Sequence, residues 1–187
     1  MNNNNNLTTG FLEIIFGPMK SGKTTKLIEI YKQYNYCNIK VCVINHIYDI
    51  RYSNNEVVSH DNLKIPCIMV DTIEQAYNDN NSFQDFQVIL INEAQFFQDL
   101  YTYVLKMLNN NKIIYISGLD GDYKKSKIGQ IIDLIPHANN VTKIHSLCGI
   151  CKNGNKAIFS KRITNQTEQV VIGVDNYIPV CRNCYDL

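Results

Sequence analysis

Gly17, Pro18, Met19, Lys20, Ser21, Gly22, Lys23 and Thr24 follow the spacing G-x-x-x-x-G-K-[ST]. The chemistry of that spacing is phosphate capture. Its glycines let the backbone curl so that successive N–H groups point inward at phosphate oxygens. A helix opening at the end of the loop adds its partial positive charge. Lys23 is placed to reach the β- and γ-phosphates of ATP, and Thr24 to set its hydroxyl on Mg²⁺. The plain alternative is a glycine-rich turn with a surface lysine. Context favours capture, because the motif follows an apolar run at 11–16 and opens a helical pattern.

The second chemical feature is Glu93, the one acid at the tip of the apolar run FQVILIN (86–92). A phosphate loop needs an acid at the carboxyl end of a neighbouring strand. A hydroxyl is a poor nucleophile until its proton has somewhere to go, and a carboxylate beside it supplies that acceptor. Glu93 is therefore the candidate general base; otherwise it caps the start of the next helix. Of the adjacent Phe96 and Phe97, one is expected in the core and one half-exposed, where a flat ring suits a nucleobase. The third feature is Cys148, Cys151, Cys181 and Cys184, a C-x₂-C…C-x₂-C set. Two such pairs complete a tetrahedral Zn²⁺ site with no open position, hence structural and not catalytic; disulfides are the competing reading. Cys37, Cys42 and Cys67 lack partners of this kind and are expected as small buried hydrophobes.

These residues need elements to hold them. A buried strand is expected at 11–16, ending at Gly17 and Pro18, then a helix over 22–34 with Leu27, Ile28 and Tyr31 on one face. Further strands are expected at 39–45, 65–70, 86–92 and 112–117, with helices at 72–78 and 99–109. Residues 46–64 are polar, without a clear period, and read as a long loop or mobile hairpin. The alternation implies an α/β fold with a mainly parallel sheet flanked by helices. The expected organisation is an Asn-rich disordered tail (1–9), a P-loop nucleotide-binding domain (10–140) and a zinc-binding domain (141–187).

The whole chain sets limits on function. Its 187 residues suffice for one such core and a small appendage. A formal net charge of +1 gives no basic excess for a polynucleotide groove. No apolar run approaches the roughly 20 residues that span a bilayer, and the start, Met1 followed by Asn2 to Asn6, does not read as an export signal. Seven cysteines in a chain read this way are expected as thiols or metal ligands in a reducing, cytoplasmic setting.

Taken together, FGPMKSGKT, DIRYS with SHD after it, NEAQFF, GLDGDY, the first CxxC, SKRI and VIGVDNYIPVCRNCY resemble the cytosolic (type II) class of thymidine kinases, over roughly residues 10–185. The resemblance implies a P-loop NTPase-like (RecA-like) sheet with a small zinc-ribbon and lasso domain. It implies ATP-dependent phosphorylation of the 5′-hydroxyl of thymidine, with Glu93 as base. Met19 would sit near the thymine methyl, Phe96 would pack on the base, and Gln95 and Leu119 would join the substrate contacts. A lasso from about 155 to 179 would fold over the nucleoside, bringing Ser160, Val171 and Tyr177 to it and Arg162 near the phosphates. Asp61 would belong to a segment beside the site. The resemblance further implies a homotetramer that binds nucleoside and ATP, with neither nucleic acid nor membrane as partner.

Two residues depart from the family pattern. Asn92 stands where the family has an Asp that helps hold hydrated Mg²⁺, so Mg²⁺ binding is expected to weaken and Asn92→Asp to restore it. Asn62 stands where an Arg is common, with Lys64 a nearby substitute. The competing functions are a P-loop ATPase with a zinc ribbon acting on nucleic acid, and a binding protein that has lost catalysis.

Overall fold

The computed structural model describes residues 9–49, 56–59, 62–79, 83–171 and 173–186. Its centre is a parallel sheet of β1 (Phe11–Phe16), β2 (Val41–His46), β5 (Ile68–Val70), β6 (Val88–Ile91), β7 (Ile113–Gly118) and β8 (Asn140–Lys143), in the order β5-β2-β6-β7-β1-β8. Parallel neighbours require crossovers, and the helices supply them. α1 (Lys23–Tyr36) covers one face; α2 (Ile73–Asp79) and α3 (Leu100–Asn109) cover the other. Strand residues alternate between the two cores: Leu12 and Ile14, Cys42 and Ile44, and Ile89 and Ile91 face α2 and α3, while Ile15, Val43, Val88 and Leu90 face α1. Covering on both faces explains why β6 is buried along its length and reads as an unbroken apolar run. α3 presents Leu100, Tyr103, Val104 and Met107, a single stripe at helical spacing.

The expected strand at 65–70 is two strands. β4 (Lys64–Pro66) pairs antiparallel with β3 (Glu56–Val58), while β5 joins the main sheet. Pro66 has no N–H to donate to a ladder, so it ends one pairing and the chain changes sheets at Cys67. The polar 46–64 stretch thus carries half of a hairpin that packs Val57 and Ile65 against the α1 core. Cys42 is buried as expected, but Cys37 is exposed just past the end of α1, and Cys67 is half-buried.

β8 extends the sheet beyond β1, so the expected division between residues 140 and 141 falls inside this strand. After it come two antiparallel pairs, β9 (Ser146–Leu147) with β10 (Lys156–Ala157) and β11 (Phe159–Arg162) with β12 (Tyr177–Val180), and a short α4 (Arg182–Tyr185). Their core is Cys148, Val180, Cys181 and Cys184, with Phe159, Ile178 and Tyr185 against it. Among the described residues no helix is long and apolar enough to cross a membrane.

Candidate active site

The carboxyl ends of β1, β2, β6 and β7 open on one side of the sheet, and the cleft lies there. β1 delivers the glycine-rich loop. A Cβ on Gly17 would stand 2.2 Å from the Ile144 carbonyl oxygen, so only glycine lets the loop leave β1 this close to the residue after β8. Gly22 has φ 86°, a left-handed conformation that starts α1 with its N-terminus toward the cleft. Lys23 Nζ donates to the carbonyls of Gly17 (3.1 Å) and Pro18 (2.7 Å), which arches its side chain back over the loop. Ser21 Oγ is buried inside the loop with no hydrogen-bond partner among the described residues. A buried hydroxyl without a partner is costly, and an anionic oxygen in the cradle would satisfy it. The loop therefore fits a phosphate group.

β6 delivers the acid. Glu93 sits at φ 49°, a left-handed conformation that costs a non-glycine residue on the order of 1 kcal/mol. It precedes a short 3₁₀ turn, Ala94–Phe96, but makes no side-chain cap to it. Instead its Oε2 accepts from Gln95 Nε2 at 2.7 Å, while Gln95 Oε1 accepts from the Leu119 N–H at 3.0 Å. Gln95 is buried and wedged: a Cβ on Gly118 would come 2.5 Å from its Oε1, and one on Gly129 2.2 Å from its carbonyl oxygen. The amide thereby ties the carboxylate to the tip of β7.

Beneath Glu93 runs a buried polar chain. Ser117 Oγ donates to Asn92 Oδ1 (3.4 Å), Asn92 Nδ2 to Asn45 Oδ1 (3.0 Å), and Asn45 Nδ2 to Asp49 Oδ2 (3.1 Å). It crosses the tips of β7, β6 and β2 in turn and reaches Asp49 on the cleft wall.

The aromatic wall comes from the same tips. Phe97 is fully buried, whereas Phe96 faces the cleft with Tyr48 edge-on to it, ring centroids 5.7 Å apart. His46 lies between the two Phe rings and Tyr48, and its Nδ1 accepts the Tyr48 N–H at 3.1 Å. Burial pushes this imidazole below its usual value, against the opposing pull of Asp71, Glu93 and Asp99.

The cover comes from the C-terminal strands and the loop between them. Ser160 Oγ, buried on β11, accepts the Met19 N–H at 2.9 Å and so joins that loop's base to the glycine-rich loop. The Tyr177 hydroxyl accepts from the Val171 N–H at 3.2 Å and from Arg162 Nη2 at 2.5 Å. Arg162 also donates to the carbonyls of Gln166, Glu168 and Gln169 and lies 3.8 Å from the Tyr123 ring centroid. A planar fork with several fixed donors suits this clustering of carbonyls. Its guanidinium thus clasps the lasso. The loop is fastened across the cleft by Gln169 Nε2 to Asp122 Oδ2 (3.0 Å) and the Tyr123 hydroxyl to the Thr167 carbonyl (2.9 Å).

The four C-terminal cysteines place their Sγ atoms within 4.8 Å of one another. Burial alone would raise the Cys148 thiol, but backbone groups of Cys181, Cys151 and Ile150 outweigh it and bring it to about 6; Cys184 is pushed up to about 12 by burial and then by its cysteine neighbours. Thiols this crowded cannot all ionise without a cation among them. The set fits a closed tetrahedral zinc site.

Of the residues singled out in the sequence, Met19, Lys20, Ser21, Gly22, Lys23, Thr24, Glu93, Gln95, Phe96, Leu119, Ser160, Val171 and Tyr177 line this cleft. Gly17 and Pro18 support it through Lys23, and Asn92 lies under it. Asp61 lies outside the described residues. Tyr48, Asp49, Asp122, Tyr123, Ile128, Gln169 and Val170 also line the cleft and were not singled out. Asp49 opens DIRYS, and Asp122 and Tyr123 close GLDGDY, so a motif signal existed for these three. Gln169 sits in a polar stretch with no period and gave none.

Comparison with known proteins gives a match to the family described as "Thymidine kinase" over residues 10–185. The chain is 38% identical to the thymidine kinase of sheeppox virus, over 95% of this chain and 98% of that one. It is 39% identical to the thymidine kinase of Yaba monkey tumor virus, over 96% and 97%. It is 38% identical to thymidine kinase 1 of Dictyostelium discoideum, over 95% of this chain and 78% of the relative.

Proposed function

The chain belongs to the thymidine kinase family, and from that premise we propose that it transfers the γ-phosphoryl group of ATP to the 5′-hydroxyl of thymidine with Glu93 as general base. The observation that carries this reading is the convergence of Lys23, Thr24 and Glu93 on one cleft whose far wall is aromatic. ATP lays its phosphates in the glycine-rich loop, where Ser21 Oγ and the amino end of α1 meet anionic oxygens. Lys23 leaves the Gly17 and Pro18 carbonyls to follow the β- and γ-phosphates. Thr24 and the acidic groups at the strand tips would hold Mg²⁺, which supplies neutralisation of charge on the transferring group.

The nucleoside enters beneath the lasso, its base against Phe96 and Met19 and its 5′-hydroxyl toward Glu93. The Glu93 carboxylate, oriented by Gln95, takes the hydroxyl proton as the oxygen attacks the γ-phosphorus. Val171 and Tyr177, held by Arg162, close the site against water, which would otherwise compete as acceptor. Cys148, Cys151, Cys181 and Cys184 would hold a zinc ion, which would supply a structural tie at the base of the lasso. The division of labour is a phosphate-binding part that runs through the sheet to β8 and a covering part built from β9 to α4. By resemblance the enzyme works in the cytoplasm as a homotetramer, and its near-neutral charge supports small-molecule partners in preference to nucleic acid.

The test is a screen of ATP-dependent phosphorylation across the common deoxynucleosides, with Glu93→Gln as control. Thymidine is expected as the best acceptor. The control is expected to keep ATP affinity and lose roughly 10²- to 10⁴-fold in turnover, the usual contribution of a positioned base. ATP hydrolysis stimulated by single-stranded DNA and not by thymidine would favour the nucleic-acid reading instead.

A further inference from the structure

The polar chain Ser117–Asn92–Asn45–Asp49 has a direction, and the direction is forced from one end. An ionised carboxylate only accepts hydrogen bonds. Asp49 Oδ2 therefore requires the Asn45 amide nitrogen, at 3.1 Å. That turns Asn45 Oδ1 toward β6, where it requires a donor, and Asn92 Nδ2 supplies one at 3.0 Å. Asn92 Oδ1 is left facing β7, where the Ser117 hydroxyl donates. Asn45 and Asn92 are each 1% exposed and Ser117 is fully buried, so water cannot repair a mismatch along the way. Asp49, at 9% exposure, is the member that reaches the cleft, on a wall shared with Lys23, Thr24 and Glu93.

We infer that this chain admits a single carboxylate, that Asp49 is that carboxylate, and that Asn45 and Asn92 are positioning residues that aim it at the hydrated divalent cation accompanying ATP. The inference rests on the Mg-ATP part of the proposed function and is independent of the acceptor. It also reverses the expectation drawn from Asn92 alone. An Asn92→Asp substitution puts a second acceptor against Asn45 Oδ1. If Asn45 turns its amide over, the clash moves to Asp49. The new carboxyl escapes only by holding a proton, which removes the charge it was meant to bring. An acid at the tip of β6 is compatible with the chain only if the acid at the tip of β2 is given up.

Three variants test this: Asp49→Asn, Asn92→Asp and the double exchange D49N/N92D. The readouts are Mn²⁺ binding in the presence of the β,γ-imido analogue of ATP, from the paramagnetic resonance signal of free Mn²⁺, and thermal unfolding without nucleotide. No nucleoside is present, so failure of the thymidine assignment leaves the result interpretable. D49N keeps an acceptor for Asn45 and is expected to bind Mn²⁺ about ten- to a hundredfold more weakly, as when an outer-shell metal partner is lost. N92D is expected to melt several degrees lower and to bind Mn²⁺ no more tightly than the native chain. The double exchange reverses the chain's direction, with Asn45 donating to the carboxylate introduced on β6, and is expected to recover both the melting point and most of the Mn²⁺ affinity. Native Mn²⁺ affinity in D49N overturns the inference. So does tighter binding by N92D at an unchanged melting point, or a double variant no better than the weaker single one.

Discussion

His46 shows how a single buried side chain makes the cleft sensitive to pH. Its Nδ1 accepts the Tyr48 N–H, so the ring is neutral with its proton on Nε2, on the side of Asp71 at 3.7 Å. Burial holds the imidazole below its ordinary 6.5, and the carboxylates of Asp71, Glu93 and Asp99 recover only part of that shift. A base with a lowered folded value binds fewer protons folded than unfolded, so stability rises with pH across the interval between the two values. The contribution is complete above the unfolded value and is lost as pH falls from there through the folded one. Protonation would also remove the acceptor that fixes Tyr48 beside Phe96. The melting temperature is therefore expected to drop between about pH 7.5 and about pH 5.5. His46→Asn keeps an acceptor for the Tyr48 N–H but cannot titrate, and should show a shallower drop over that range. Parallel curves for the two proteins would remove His46 from the account.

At the scale of elements, the lasso is a loop without a core of its own, held by a few polar fasteners. Arg162 is the chief one: it gathers the Gln166, Glu168 and Gln169 carbonyls and the Tyr177 hydroxyl around one guanidinium. Arg162→Lys keeps the charge but not the fork. With a net worth of about 1 kcal/mol per lost hydrogen bond, the variant should raise the nucleoside KM by roughly tenfold or more. Limited proteolysis should cut faster within 163–171, while affinity for an ATP analogue stays near native. An unchanged cutting rate would mean that the loop is held by something else. None of this was legible in the residue pattern; the family resemblance alone suggested a place for Arg162, near the phosphates. The glycine-rich loop, Glu93, the paired cysteines and most strands were legible because each is a local signal: spacing, a run of apolar residues, a strand tip. The roles of Arg162, Gln95, Asn45 and Ser117 depend on which strands lie side by side. The order β5-β2-β6-β7-β1-β8 is not the order of the sequence, so hydrogen bonds such as Asn45–Asn92, 47 residues apart, have no periodic trace. The β3–β4 hairpin was legible only as one of two options, a long loop or a hairpin over 46–64, because strands of three residues each are too short for alternation to fix their places among polar neighbours.

The whole molecule divides by what holds each part. The main sheet carries two extensive cores, one on each face, whereas the C-terminal strands close on Cys148, Val180, Cys181 and Cys184 with a few half-buried neighbours. A core that small does not offset the entropy of ordering its chain without a staple. The four-thiol cluster is placed to be that staple, since binding free energy for structural zinc becomes folding free energy. Removing the metal with a strong chelator should therefore separate the two parts. Thermal unfolding is expected to split, with an early transition for 146–186 and a later one for the sheet. Affinity for an ATP analogue should fall only modestly, because the glycine-rich loop hangs from β1 and α1 and loses just its Ser160 fastener. Thymidine turnover should fall steeply, because the lasso, with Val171, Tyr177 and Arg162, depends on the stapled strands for its position. Cys181→Ser should reproduce the effect without chelator, and adding zinc back should restore the chelated native chain but not the variant. A chelated protein that keeps one transition and its native KM for thymidine would show that β11 and β12 stand on their contacts with the sheet alone, and that the cysteines are not what closes the cleft.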